Sequence, residues 1–220
     1  MTKPRETKDR IFEQFARIGQ AMASPKRLEL LDLLCQAEKS VEILADQAAM
    51  SIANTSRHLQ ILRASRLVDG RKDGLRVYYR LADDEVCRFF GSLRKLAASR
   101  LAEIDLIVRD YFDDPKSLQA VNKKNLLRRA RAGEIIILDV RPRDEYAAGH
   151  VPYASSIPLN ELRKSIAQLP KNKEIVAYCR GPYCVLAQEA MNVLRERGFK
   201  AVRLEDGIAE WKESGMPVEI

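Results

Sequence analysis

Cys179 and Cys184 bracket a four-residue stretch, Arg180, Gly181, Pro182 and Tyr183, in the segment YCRGPYC. An apolar run through Ile175, Val176 and Ala177 precedes it, and a helical pattern from Val185 to Arg197 follows. A thiol placed where a buried strand ends and a helix begins meets successive backbone N–H groups and the positive end of a helix. Both favour thiolate over thiol. They equally favour a persulfide anion on Cys179. Gly181 and Pro182 permit a tight, rigid curve, and Arg180 places a cation in it. Cys184 has two readings. It could resolve a Cys179 persulfide into a disulfide and release sulfide, or it could be a small buried residue at the helix start.

The surrounding pattern says what positions this loop. Helix Lys124 to Arg131 precedes the apolar strand Ile135 to Val140, and helix Glu161 to Leu169 precedes strand Ile175 to Tyr178. Helix Val185 to Arg197 then precedes strand Ala201 to Leu204, and a short helix, Ile208 to Glu213, closes the chain. Apolar strands alternating with helices predict a parallel sheet flanked by helices. Asp139, Arg141, Glu145 and His150 read as salt bridges and hydrogen bonds that brace loops, and Trp211 reads as core.

The first half is different. Ile11, Phe12, Phe15, Ile18 and Met22 recur at helical spacing. Ser24-Pro25 opens a second helix, Ser40 a third and Ser51 a fourth. Leu67-Val68 and Val77 to Leu81 form a predicted hairpin around Gly70 to Gly74, with Arg71 and Lys72 at its basic tip. A long helix follows, from Val86 to Tyr111. Helices three and four make a helix-turn-helix. With Ile52, Leu59 and Leu62 turned inward, Asn54, Thr55, Arg57, His58 and Gln60 face outward, and Ser56 lies beside them. Such side chains suit base edges and phosphates in a major groove. Arg71, Lys72 and Arg76 suit backbone positioning.

The 220 residues are 46% hydrophobic and carry a formal net charge of +7. Residues 51–80 alone hold seven basic against two acidic side chains, so most of the excess sits where the DNA reading places it. The polar start MTKPRETKDR lacks the apolar core of a secretory signal, and no run suits a membrane span. A reducing cytoplasm is therefore expected, with free thiols. Four cysteines without zinc-knuckle spacing and only two histidines, His58 and His150, supply a metal site poorly. No metal or cofactor is expected.

Residues 8–112 resemble the ArsR/SmtB family of winged-helix repressors. Ala23 to Leu28, Ser40 to Ala45, Asn54 to Leu62 and Val77 to Leu81 carry the resemblance. It implies a homodimer packed through the first and last helices of the domain, reading palindromic operator DNA. The family's metal sensors place cysteines where this chain has Val41, Ile43 and Leu44. Some relatives sense sulfur with a cysteine pair, for which Cys35 and Cys87 are the candidates. The plainer reading makes each a small buried hydrophobe.

Residues 117–220 resemble a single rhodanese domain through Leu138 to Arg141, Asp144 to Tyr146, Gly149 to Ala154, Cys179 to Gly181, Gly207 to Trp211 and Gly215 to Val218. That resemblance implies sulfur transfer through a Cys179 persulfide from a sulfane donor such as thiosulfate, polysulfide or persulfide. Cys184-Val185 replaces the Arg-Ser of many members, leaving Arg180 to hold an anionic donor. The expected architecture is thus a mainly α winged helix-turn-helix domain (1–112), a linker (113–118) containing Asp113 to Ser117, and an α/β rhodanese domain (119–220). Two functions follow from it. One is a DNA-binding transcriptional regulator, acting as a repressor, that senses or transfers sulfane sulfur. The other is a sulfurtransferase enzyme that its DNA-binding half localises or regulates.

Overall fold

The computed structural model describes residues 3–112 and 122–220; the expected linker, 113–118, lies outside them. The chain divides into two compact units, Met1–Arg94 and Lys95–Ile220.

Helix α1 (Lys3–Met22) leads to α2 (Pro25–Leu34). Pro25 stands in the first turn of α2, where its missing N–H costs nothing. Strand β1 (Lys39–Ser40) runs into α3 (Val41–Gln47), and α4 (Ile52–Ala64) follows. Ser40 and Ser51 cap these helices. Their Oγ atoms accept from the N–H groups of Ile43 at 3.4 Å and Asn54 at 3.3 Å, as helix starts require. Ala49, in the turn between them, takes a left-handed φ of 49°.

Strands β2 (Val68–Asp73) and β3 (Arg76–Leu81) pair antiparallel, and β1 adds to β3 to give the order β1-β3-β2. The hairpin forms as expected, but pairing continues to Asp73 opposite Arg76. Arg71 and Lys72 therefore lie on a strand, and Gly74 and Leu75 make the tip. The two-residue β1 carries no periodic pattern, so the sequence did not announce it. Leu30, Leu31, Leu44, Leu59 and Leu62 fill the core at 0% exposure.

The expected long helix is two, α5 (Asp84–Arg100) and α6 (Ala102–Tyr111). Leu101 between them is extended, with φ −111° and ψ 98°. Cys35 and Cys87 are not the free, buried thiols expected. They are half-buried and joined as a disulfide with Cα atoms 5.6 Å apart, tying the end of α2 to the first turn of α5.

In the second unit α7 (Lys123–Arg131), β4 (Ile135–Asp139), α8 (Arg143–Ala148), β5 (Ala154–Ser156), α9 (Leu159–Ser165), β6 (Glu174–Tyr178), α10 (Val185–Glu196), β7 (Ala201–Arg203) and α11 (Ile208–Glu213) follow in order. The four strands are all parallel, in the order β5-β4-β6-β7. Successive strand residues feed opposite faces. Leu138 and Ala177 join an apolar cluster with Met191 of α10. Their neighbours Ile137 and Val176 join another with Leu126 of α7 and Trp211 of α11. Both faces of the sheet are thereby buried, as a parallel sheet demands.

At the carboxyl end of β4, Asp139 and Arg141 form a fully buried ion pair at 2.6 Å. Arg141 Nη2 also donates to the Gly149 carbonyl at 2.8 Å. The Tyr178 hydroxyl donates to Asp139 at 2.5 Å and accepts from the Val151 N–H at 3.1 Å. This closed network fixes the last residue of β6, immediately before Cys179. Among the described residues no helix is long and apolar enough to cross a membrane.

Tyr178→Phe removes one hydroxyl and leaves a buried carboxylate oxygen and a buried N–H short of a partner. The expected cost is about 1–3 kcal/mol, read by urea unfolding of the full chain against wild type.

Candidate functional site

Ligands in open parallel sheets gather beyond the carboxyl ends of the strands. Three residues of interest stand there: Asp139 ending β4, Cys179 following β6, and Arg203 ending β7. The loop 179–184 connects β6 to α10, and its curve has two structural causes. Gly181 takes φ 156°, a region L side chains avoid. Gly207 lies against the loop backbone, where an added Cβ would sit 2.1 Å from the Arg180 carbonyl oxygen and 2.6 Å from the Gly181 nitrogen. Gly207 is thus the floor of the loop. Pro182 is half-buried and Tyr183 exposed.

Cys179 is 2% exposed and shares its apolar cluster with Leu138, Val140 and Ala187. Its Sγ–H faces the carbonyls of Cys184 at 3.6 Å and Gly181 at 4.0 Å. Burial, and then the hydrogen bond shared with Cys184, push its pKa well above the ordinary thiol range, although the amides of Gly181 and Ala187 oppose that rise. This corrects the expectation of a resting thiolate at Cys179. The charge belongs to Cys184, which is half-buried at the N-cap of α10. The hydrogen bond from the Cys179 thiol lowers its pKa to about 7 against its own burial. The amides of Arg180 and Leu186 and the Arg180 charge help. The loop therefore holds two unequal thiols, Cys184 the more easily ionised, with peptide N–H groups of Arg180, Gly181, Leu186 and Ala187 close to them.

Arg180, expected to hold a donor anion, is instead turned onto Glu145. Its Nε and Nη2 donate to both carboxylate oxygens at 2.7–3.1 Å. Glu145 itself is fully buried, and this pair anchors the loop to α8. His150 stacks on Tyr146 with ring centres 3.7 Å apart, and its Nδ1 meets the Tyr146 carbonyl at 3.0 Å. Asp139, Arg141, Glu145 and His150 all make bracing contacts of this kind. One residue of the site, Arg203, escaped the sequence reading, and Gly207 was read there only as part of the rhodanese pattern, not as part of the loop. Arg203 had a signal: a cation inside the apolar strand Ala201 to Leu204.

The other unit presents α4. Asn54, Arg57 and Gln60 are exposed and Ser56 is half-buried. Thr55 corrects the expectation. It is fully buried, and its Oγ1 donates to the Ser51 carbonyl at 3.0 Å, so it packs the helix start. Ile52, expected inside, is 56% exposed. His58 is half-buried; burial, then the charges of Arg27 and Arg57, lower its pKa and hold the ring neutral. Arg71 is exposed and tied to Glu38 and, at 3.1 Å, to Asp73. Lys72 and Arg76 remain exposed. Among the described residues no group of three or more His, Cys, Asp or Glu could hold a metal ion.

Together these features define a winged helix-turn-helix unit on the same chain as a parallel α/β domain. The family described as bacterial regulatory protein, arsR family, matches residues 24–69, and the rhodanese-like domain matches residues 122–214. The HTH-type transcriptional regulator Rv0324 of Mycobacterium tuberculosis is 41% identical over 214 residues, covering 97% of this chain and 94% of that one. The nodulation protein NolR of Rhizobium meliloti is 36% identical over 110 residues, covering 50% of this chain and 76% of that one. A solution structure of a homodimeric winged helix-turn-helix domain, Mb0332 from Mycobacterium bovis, is 39% identical. It covers 43% of this chain and 87% of that chain, with a TM-score of 0.41. The chain belongs to the ArsR family of transcriptional regulators and carries a C-terminal rhodanese domain.

Two outcomes are expected of the loop. Because a lowered pKa places the thiolate above the midpoint, alkylation of Cys184 rises through a midpoint near pH 7. Cys179 stays unreacted until higher pH, as peptide mapping after iodoacetamide labelling over a pH series will read. Gly207→Ala drives a methyl into the loop backbone and costs about 1–3 kcal/mol. It also abolishes the low midpoint of Cys184, measured by the same labelling.

Proposed function

We propose that this regulator represses transcription from a palindromic operator as a homodimer, and that sulfane sulfur captured in the 179–184 loop alters its hold on DNA. The observation that carries the reading is the pair of unequal thiols close to peptide amides, on a chain that also bears a DNA-reading helix. Burial favours this reading over the sulfurtransferase one. Cys179 at 2% exposure suits the capture of one small atom better than repeated exchange with bulky acceptors.

Support for the dimer comes from unpartnered apolar side chains. Ile11, Phe12 and Phe15 on α1 are 48%, 58% and 63% exposed, and Phe89, Leu96, Leu106 and Ile107 on α5 and α6 are 49–66% exposed. Apolar faces of this extent mark association surfaces. Asn54, Ser56, Arg57 and Gln60 then serve the major groove from each protomer, while Lys72 and Arg76 hold phosphates. In the loop, Cys184 takes the proton of Cys179. The freed thiolate attacks the donor's sulfane sulfur, and the donor departs with the electron pair of the broken S–S bond. Cys184 can later resolve the persulfide by attacking its inner sulfur, which yields a disulfide and sulfide.

Operator binding with and without polysulfide tests the coupling. Wild type is expected to change affinity by about tenfold, equivalent to about 1.4 kcal/mol, and Cys179→Ser to show no change. Equal affinities for wild type in both conditions sink the reading; steady thiocyanate or sulfide production over many cycles favours the enzyme.

A further inference from the structure

Arg203 is 2% exposed. Its Nη2 donates to the Pro182 carbonyl, inside the loop between the two cysteines, yet Nε and Nη1 have no hydrogen-bond partner among the described residues. No carboxylate forms an ion pair with it within that set. Its guanidinium face lies 4.3 Å from the Phe112 ring centre, so only its edge remains to make hydrogen bonds. A buried guanidinium with two idle N–H groups is costly unless an anion completes it.

The charged groups around it say which anion. Burial lowers its pKa; the charges that oppose this are Cys179 first, then Cys184, then Glu205. The loop's other cation, Arg180, is already bidentate on Glu145. At rest the negative charge lies on Cys184, and Cys179 is a neutral thiol. Loading moves it. With thiosulfate the thiolate of Cys179 bonds to the sulfane sulfur, and sulfite leaves with the bonding electron pair. With tetrasulfide, trisulfide leaves. In either case Cys184 keeps the proton and Cys179 carries a terminal S⁻.

We infer that Arg203 is the counter-cation of the loaded state, and that its Nε–H and Nη1–H receive the terminal sulfur anion of the Cys179 persulfide. This rests on the sulfur-capture reading above and assigns the residue that makes capture durable in a buried site. Arg203 acts on the bound sulfur and not on the donor, so it serves every sulfane donor alike. A guanidinium presents a fork of parallel donors, which an ammonium cannot copy.

The test loads full-length wild type, Arg203→Gln and Arg203→Lys with thiosulfate and, separately, with sodium tetrasulfide. It follows the Cys179 persulfide by mass and by its alkylation rate across a pH series. Wild type is expected to load. In Arg203→Gln the persulfide forms about tenfold less at neutral pH with both donors, and its alkylation midpoint moves to higher pH. Arg203→Lys restores part of the shift, which a packing role alone would not do. Circular dichroism checks the fold; should Arg203→Gln not fold, the smaller upward shift in Arg203→Lys decides. Unshifted midpoints in the folded variants overturn the inference and leave sulfur capture standing. Loss with thiosulfate alone also overturns it, by making Arg203 a donor site. Failure of wild type to load sinks capture and this inference together.

Discussion

A negative sulfur inside an apolar core needs donors on every side, and that need shapes the second unit. Cys179 shares a cluster with Leu138 and Val140, an environment that keeps a lone thiol protonated. The chain meets the requirement with geometry. Parallel strands end at one edge of the sheet, α10 begins there, and amides from both sides of the loop converge on two sulfurs. The lower pKa falls to Cys184, while burial keeps the Cys179 thiol protonated. The buried Asp139–Arg141–Tyr178 network and the Arg180–Glu145 pair are consequences of the same constraint. Each holds polar groups at fixed positions around a loop that must not relax.

The DNA-reading unit handles charge in the opposite way. Its basic excess looks generous in sequence, but part of it is consumed locally. Arg71 is bound by Glu38 and Asp73, and Arg80 lies 3.5 Å from Asp69. What remains outward is a smaller set: Arg57, Arg63 and Arg66 in and just after α4, and Lys72 and Arg76 on the wing. Exposed Ile52 adds an apolar side chain at the start of α4. Non-specific attraction to phosphate should accordingly be weaker than the formal charge suggests.

Much of this was legible beforehand. Ser40 and Ser51 announced two helix starts because a hydroxyl before an apolar pattern has few other uses. Ile135 to Asp139 and Glu174 to Tyr178 announced buried strands by unbroken apolar runs. The short pieces were not legible. β1, at two residues, and β5, at three, are too brief for any period and form only because a neighbouring strand offers its edge. Thr55 and Ile52 exchanged places because a threonine can satisfy its hydroxyl on the preceding turn and then be buried. The ionisation of the thiol pair was misjudged for a related reason. Sequence spacing shows that donors will be near, but only the fold shows which sulfur is deeper. Arg180 looked available for the same reason, since Glu145 lies far from it along the chain.

The sheet of the sulfur unit has two rims, and both are narrow. β5 (Ala154–Ser156) and β7 (Ala201–Arg203) flank the longer β4 and β6, so each outer strand exposes few unpaired backbone groups. Open rims invite another chain to add a strand and start a fibril. Here an incoming segment would find too little ladder to hold, which disfavours assembly of this regulator edge to edge as its concentration rises.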